Sequence, residues 1–303
     1  MSTVSRILCG VDFTDANRPA FDWAVRLARA SGPALSVVHA VPRNHSFSWK
    51  ARERLRDLAD LRHAALAEGV SVGVSVQHGN PAEVLALHAN ARRADLIVLG
   101  TKGRTGWDRL KTRSVAQRVL RRVSCPSLIV PANAHPKDSA DGATIFGHVL
   151  CAVDCSATSK AALDEALRLA SSQKARLTVL HVLKGLEPST TERLRWHFAV
   201  PEYRHLRARE ARLSLEAAIP AEVRAAVDLQ IRVVSGLPDH QILLAASDVK
   251  ADVIIVGARG RGLWGVLSST TAGVLRESVT PVLVLPRHDG TQAHVEPAVA
   301  VAA

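Results

Sequence analysis

The sequence predicts an α/β protein of two repeated, doubly wound domains, each a five-stranded parallel sheet with helices on both faces. Three observations carry this reading. The first is a duplication. Arg6-Ile-Leu-Cys-Gly-Val-Asp12 recurs as His148-Val-Leu-Cys-Ala-Val-Asp154, and Ser36-Val-Val-His39-Ala40 recurs as Thr178-Val-Leu-His181-Val182, both 142 residues on. Asp95-Leu-Ile-Val-Leu-Gly100-Thr-Lys-Gly103-Arg104 recurs as Asp252-Val-Ile-Ile-Val-Gly257-Ala-Arg-Gly260-Arg261, 157 residues on, with Trp107 matched by Trp264. Val119-Leu-Arg121 and Pro126 recur as Val274-Leu-Arg276 and Pro281 at an offset of 155. The second observation is that short apolar runs alternate with helical segments in each copy, which implies parallel strands joined by right-handed crossovers. The third is that these runs lack clean polar alternation, as strands covered on both faces do.

The elements follow in order. In the first copy, strands are predicted near 5–12, 34–41, 71–78, 95–100 and 126–131. Helices are predicted near 15–30, 49–68, 81–92 and 113–123. Asp15-Ala-Asn-Arg-Pro19 starts the first helix, and Ser31-Gly32-Pro33 stops it. Asn80-Pro81-Ala-Glu83 supplies a capping residue, a proline at the first helical position and an acid in the first turn of the third. In the second copy, strands are predicted near 148–154, 176–182, 228–235, 252–257 and 281–286. The second copy gains 15 residues between its second and fourth strands. These read as an extended, interrupted second helix around 187–218, broken at Pro201 and ended at Pro220. The expected domains are 1–131 and 147–286, joined by a polar Pro- and Gly-containing linker, 132–146, and followed by a flexible tail, 287–303.

Composition excludes several classes. With 303 residues, 47% of them hydrophobic, the chain can bury two cores. At 22% charged it is not wholly disordered. No apolar run approaches the ~18–20 residues of a membrane-spanning helix. Met1 to Gly10 has no signal-peptide pattern, so a cytoplasmic location and no membrane partner are expected. Four cysteines are too few for a disulfide scaffold, and Cys9 and Cys151 lie in apolar strands where an inert thiol is the default. The net charge of +11 is uneven: residues 1–135 hold 20 Lys and Arg against 10 Asp and Glu. Lys102 to Arg122 alone contains eight basic residues and one acid, Asp108, which suits a phosphate-bearing partner or a solvated basic face. With 4% aromatics and no recognisable module, nucleic acid is disfavoured.

In doubly wound sheets ligands sit beyond the C-terminal strand ends, where strand order reverses. That rule selects Asp12 with Gly100–Gly103, and Asp154 with Gly257–Gly260. Glycines in G-x-x-G let backbone N–H groups converge on an anion, and the helix starting at Ser114 or Ser269 adds free donors. The pattern is neither a P-loop nor a G-x-G-x-x-G dinucleotide fingerprint. His39 and His181 read better as structural histidines than as catalytic ones, while Asp12 and Asp154 suit ligand contact and local capping equally. Trp107 and Trp264 could pack or cover a ligand. Nothing marks a nucleophile with its base or a metal cluster, so no catalytic or metal residues are assigned.

These residues resemble the universal stress protein family in a tandem, two-repeat form. The resemblance rests on Gly10-Val11-Asp12-Phe13-Thr14 and Ala152-Val153-Asp154-Cys155-Ser156, on Val38-His39-Ala40 and Leu180-His181-Val182, and on the closing Cys125-Pro-Ser-Leu-Ile-Val130 and Thr280-Pro-Val-Leu-Val-Leu285. It implies a Rossmann-like strand order 3-2-1-4-5 and a stress-response module binding ATP or AMP, with or without Mg. Asp12 or Asp154 and the backbone at Ala40 or Val182 would hold adenine. Gly10, Val11 and Gly100, or Ala152, Val153 and Gly257, would border the ribose. Amides at Gly103, Ser114 and Val115, or at Gly260, Ser269 and Thr270, would hold phosphates. It also implies pairing of the halves through their last strands, Ser127–Pro131 antiparallel to Val282–Pro286, with a further homodimer compatible but not required.

Both copies depart from the family's G-x2-G-x9-G-[ST]. The first keeps the nine-residue spacer, but Arg113 replaces the third glycine. Its side chain could fill the phosphate site or pair with a phosphate oxygen. In the second, Ser268 replaces that glycine and the spacer is seven residues. The competing expectation is therefore a nucleotide-free protein–protein module. An enzyme of the adenine-nucleotide α-hydrolase-like superfamily ranks last.

Overall fold

The computed structural model describes residues 4–32, 34–42, 50–101, 114–137, 144–154, 156–183, 200–258 and 267–286. The first copy folds as β1 (Arg6–Val11), α1 (Arg18–Ser31), β2 (Ala34–Val41), α2 (Lys50–Ala67), β3 (Val72–His78), α3 (Pro81–Ala91), β4 (Leu96–Gly100), α4 (Val115–Leu120) and β5 (Ser127–Val130). The second folds as β6 (His148–Val153), α5 (Ala157–Gln173), β7 (Arg176–Leu183), α6 (Val200–Ala218), α7 (Ala221–Ala226), β8 (Leu229–Ser235), α8 (Pro238–Asp248), β9 (Val253–Gly257), α9 (Ser269–Glu277) and β10 (Val282–Leu285). All ten strands form one sheet in the order β3-β2-β1-β4-β5-β10-β9-β6-β7-β8. Pairing is parallel within each half, and each half has the order 3-2-1-4-5. β5 and β10 meet antiparallel at the centre, with Leu283 opposite Leu128.

Local chemistry explains where the elements start and stop. The first helix does not run from Asp15 as an α-helix. Residues Asp15–Asn17 form a 3-10 turn, and α1 begins at Arg18. Pro19 has no N–H to reach the Asp15 carbonyl, which accepts from Arg18 instead. The second copy has Ala161 at the matching position, and α5 runs unbroken from Ala157. Gly32 ends α1 in the left-handed region, φ 69°, with its N–H on Ala28 O. Asn80 caps α3 as its sequence suggests, its side chain accepting from Ala82 N at 3.1 Å. The fourth helix is shorter than predicted. It stops at Leu120, Arg122 N tightens onto Val119 O at 2.7 Å, and Pro126 then commits the chain to extended backbone. Pro201 lies in the first turn of α6, where its missing N–H costs nothing, and Pro220 separates α6 from the unexpected short α7.

Alternate strand residues feed two cores. Ile7, Cys9 and Val11 of β1 join Phe21, Trp23 and Leu27 of α1, Leu58 of α2, and Leu163 and Leu169 of α5 on one face. Leu8 joins Leu85 of α3, Val119 of α4, Ile242 of α8 and Val274 of α9 on the other. Each core runs through both halves, because the antiparallel β5–β10 pair keeps equivalent helices on the same side. The polar stretch between the halves is tied down where it is described. Trp23 stacks on Phe146, with ring centroids 5.2 Å apart, and its indole N–H donates to Ala134 O at 2.6 Å. Gln173 Oε1 accepts from Ile145 N and Phe146 N.

Candidate functional site

In each half the chain leaves the first strand to one side and returns for the fourth on the other, opening a crevice at the C-terminal ends of β1 and β4 and of β6 and β9. The buried Val11 and Val153 end those first strands, and the half-buried Ala40 and Val182 stand near the ends of β2 and β7. Asp12 follows β1, half-buried, and Asp154 follows β6, exposed. Asp12 Oδ1 accepts from Thr14 N at 3.0 Å and from Thr14 Oγ1 at 2.6 Å; Asp154 Oδ1 accepts from Ser156 N at 3.1 Å. Each aspartate thus spends one oxygen on a local turn. Phe13, between Asp12 and Thr14, takes φ 59°, a strained conformation for a residue with a large side chain. Its ring sits 4.6 Å from that of His39 and 5.2 Å from the Arg54 guanidinium carbon.

The repeated histidines are staples. His39 Nδ1 lies 2.8 Å from Val11 O, and His181 Nδ1 lies 2.8 Å from Val153 O. A carbonyl only accepts, so Nδ1 carries the proton in both. Burial, helped by the Arg54 charge, lowers the His39 pKa against an opposing pull from the Val11 carbonyl, Asp12 and Asp57, and so favours the neutral ring. Both histidines therefore brace the strand end that precedes the aspartate.

The glycines ending the fourth strands have a packing reason. A Cβ on Gly100 would stand 3.0 Å from Asn17 Nδ2 and 3.3 Å from Asn17 Cα. One on Gly257 would stand 3.0 Å from the backbone carbon of Thr158. The segment entering α1 or α5 thus presses on each strand end, with or without a ligand. The helices beyond are capped by Ser114, whose Oγ accepts from Gln117 N at 3.2 Å, and by Ser268, whose Oγ accepts from Thr271 N at 3.0 Å. The second cap is Ser268 rather than Ser269. With Val119 and Val274 matched, α9 therefore starts one position earlier than α4. Ser114 and Ser269 are exposed, and Val115 and Thr270 half-buried, in these first turns. In the second half, Ser268 N also donates to Ala258 O at 3.2 Å, and Thr271 Oγ1 donates to Gly257 O at 2.8 Å. Gly103, Trp107, Arg113, Cys155, Gly260, Trp264, the Lys102–Arg113 part of the basic run, residues 184–199 and the tail lie outside the described residues.

Four residues carry roles that the motif reading missed. Asn17 and Thr271 carry no repeat signal, since their counterparts are Ser159 and Ala116. Asp95 and its repeat Asp252 did carry one. Asp95 Oδ2 accepts from Ser5 N and Arg6 N, both at 2.9 Å; Asp252 Oδ2 accepts from Gly147 N at 2.9 Å and His148 N at 3.0 Å. They clamp the strand ends opposite the crevice. Burial pushes the Cys9 thiol up to about 12 and raises Cys151 as well, so neither supplies a thiolate near neutrality. Among the described residues, no group of three or more His, Cys, Asp or Glu could hold a metal ion, and no helix is long and apolar enough to cross a membrane.

Fold and crevice define a class: a doubly wound α/β protein with a duplicated site at the strand C-termini, flanked by an aspartate and a glycine. The chain belongs to the universal stress protein family, whose sequence pattern matches residues 3–131 and again 146–286. A universal stress protein of Mycobacterium tuberculosis is 26% identical over 304 residues, covering 92% of this chain and 95% of the relative. One from Methanocaldococcus jannaschii is 42% identical over 137 residues, covering 41% of this chain and 81% of the relative. Among solved structures, a universal stress protein from Archaeoglobus fulgidus superposes with TM-score 0.69 at 20% identity, covering 94% of this chain and 97% of that one. At that identity the likeness concerns the fold.

Proposed function

We propose that the chain is an adenine-nucleotide-binding stress-response module, not an enzyme, working in the cytoplasm as two domains, 1–131 and 147–286. The observation that carries this is the crevice where strand order reverses, bordered by Asp12 and Gly100 in one half and by Asp154 and Gly257 in the other. Asp12 or Asp154, with the backbone of Ala40 or Val182, would receive adenine. Val11 and Gly100, or Val153 and Gly257, would border the ribose. Gly103, Arg113, Ser114 and Val115, or Gly260, Ser268, Ser269 and Thr270, would face the phosphates. The residues present suit such a ligand: Asn17 Oδ1, beside Gly100, is buried without a hydrogen-bond partner. An orphaned acceptor is costly, and a bound hydroxyl or amine relieves it. ATP or AMP, alone or with Mg, would supply charge and a phosphate chain for recognition, and no chemical step is assigned.

A second reading, a nucleotide-free association module, draws on the packing reasons found for Gly100 and Gly257 and on the central β5–β10 pair. Equilibrium titration of the full chain with ATP and AMP, with and without Mg, separates the two. Saturable binding below millimolar concentration supports the first. Its absence, together with retained self-association or partner binding, supports the second.

A further inference from the structure

We infer that the two crevices are not equivalent and that nucleotide is held by the first half alone; this rests on the nucleotide reading above. The duplication supplies an internal control, because the same fold position can be compared twice in one chain. In the second half several polar groups of the crevice satisfy one another. Thr271 Oγ1 donates to the Gly257 carbonyl at 2.8 Å, and Thr271 is 3% exposed. Ser268 Oγ lies 2.8 Å from the same hydroxyl and accepts from Thr271 N. Ser268 N donates to Ala258 O at 3.2 Å. On the facing element Ser156 Oγ and Thr158 Oγ1 lie 3.1 Å apart, and Ser156 and Ser159 cap each other. A ligand reaching the Gly257 carbonyl or the Ser268 amide would have to break these bonds.

Apart from the helix cap, which Ser114 repeats by accepting from Gln117 N, this closure has no counterpart among the described residues of the first half. Ala116 stands where Thr271 does, so it has no hydroxyl to offer the Gly100 carbonyl. Among the described residues, Ser114 and Thr101 form no bond matching that of Ser268 and Ala258. The first half instead leaves a buried acceptor unmet, the Oδ1 of Asn17, whose Nδ2 faces Gly100; in the same half Phe13, next to Asp12, takes φ 59°. Unpaired buried acceptors and strained backbone gather where a ligand completes the structure. The first half also keeps the nine-residue spacer.

The test is calorimetric titration of the full chain with ATP, alongside amide exchange of the ligand-free protein. One equivalent of ATP per chain is expected. Asp12→Ala should weaken binding at least about tenfold, whereas Thr271→Ala should leave it within about twofold. In the ligand-free protein the Ser268 amide should exchange at least about tenfold more slowly than the Ser114 amide. Two equivalents per chain, binding that survives Asp12→Ala, binding altered by Thr271→Ala, or equal exchange of the two amides would each overturn the assignment alone. No binding of ATP to the wild-type chain at millimolar concentration overturns the nucleotide reading, and this assignment with it.

Discussion

Single residues do most of their work at the two ends of the strands. Opposite the crevice, Asp95 ties Ser5 and Arg6 to β4. Burial alone would raise its pKa, but the Arg6 guanidinium and the amides of Ser5 and Arg6 hold it below the ordinary 3.8. Asp95→Ala should cost about 2 kcal/mol at neutral pH, since two amides lose a charged acceptor. The stabilisation is present above 3.8 and is lost as pH falls through the depressed folded value, which urea unfolding at several pH values would show. His148 carries the opposite kind of sensitivity. It is 6% exposed and bonded to Thr178 Oγ1 at 2.9 Å. Burial lowers its pKa, helped by Arg176 and opposed by the Val249 backbone, Asp252 and Asp228. The unfolded chain then binds the extra proton, so stability is full above the ordinary 6.5 and falls as pH drops through it. Replacing His148 with Gln should flatten that acid slope. At the crevice, Arg113→Gly separates obstruction from phosphate pairing. The first-half assignment expects weaker ATP binding with less salt dependence, and tighter binding would mean the side chain fills the site.

At the scale of elements, capping and proline placement set the boundaries. Ser268→Ala should destabilise the protein by about 1 kcal/mol through loss of the α9 cap. It should also speed exchange of the Thr271 amide, which hydrogen-exchange mass spectrometry or NMR would detect. Every strand in both copies was legible from the sequence, because buried parallel strands are short apolar runs and the repeat aligned them independently. Helix ends were less so. The start of α1 shifted because the effect of Pro19 falls four residues upstream, on the Asp15 carbonyl. The cap moved from Ser269 to Ser268 because a run of Ser268-Ser269-Thr270-Thr271 offers several hydroxyls and only the fold selects one. The positions of Asp12, Asp154, Gly100 and Gly257 were legible as a repeated constellation. The closure by Thr271 and the orphaned Asn17 were not, since both depend on contacts across the crevice rather than on spacing.

At the scale of the molecule, the ten-stranded sheet makes the two halves one body. The β5–β10 pair joins the sheets, both cores pass beneath it, and Trp23, Phe146 and Gln173 fasten the connecting segment. Because β5 and β10 run antiparallel, the C-terminal strand ends of the two halves, and with them the crevices, lie at opposite edges of the sheet. The most direct test of the nucleotide account is the nucleotide content of the purified chain, released by heat and resolved by anion-exchange chromatography. The account expects ATP or AMP approaching one equivalent per chain. Protein that carries no adenine nucleotide, and takes up none when incubated with millimolar ATP, would contradict it.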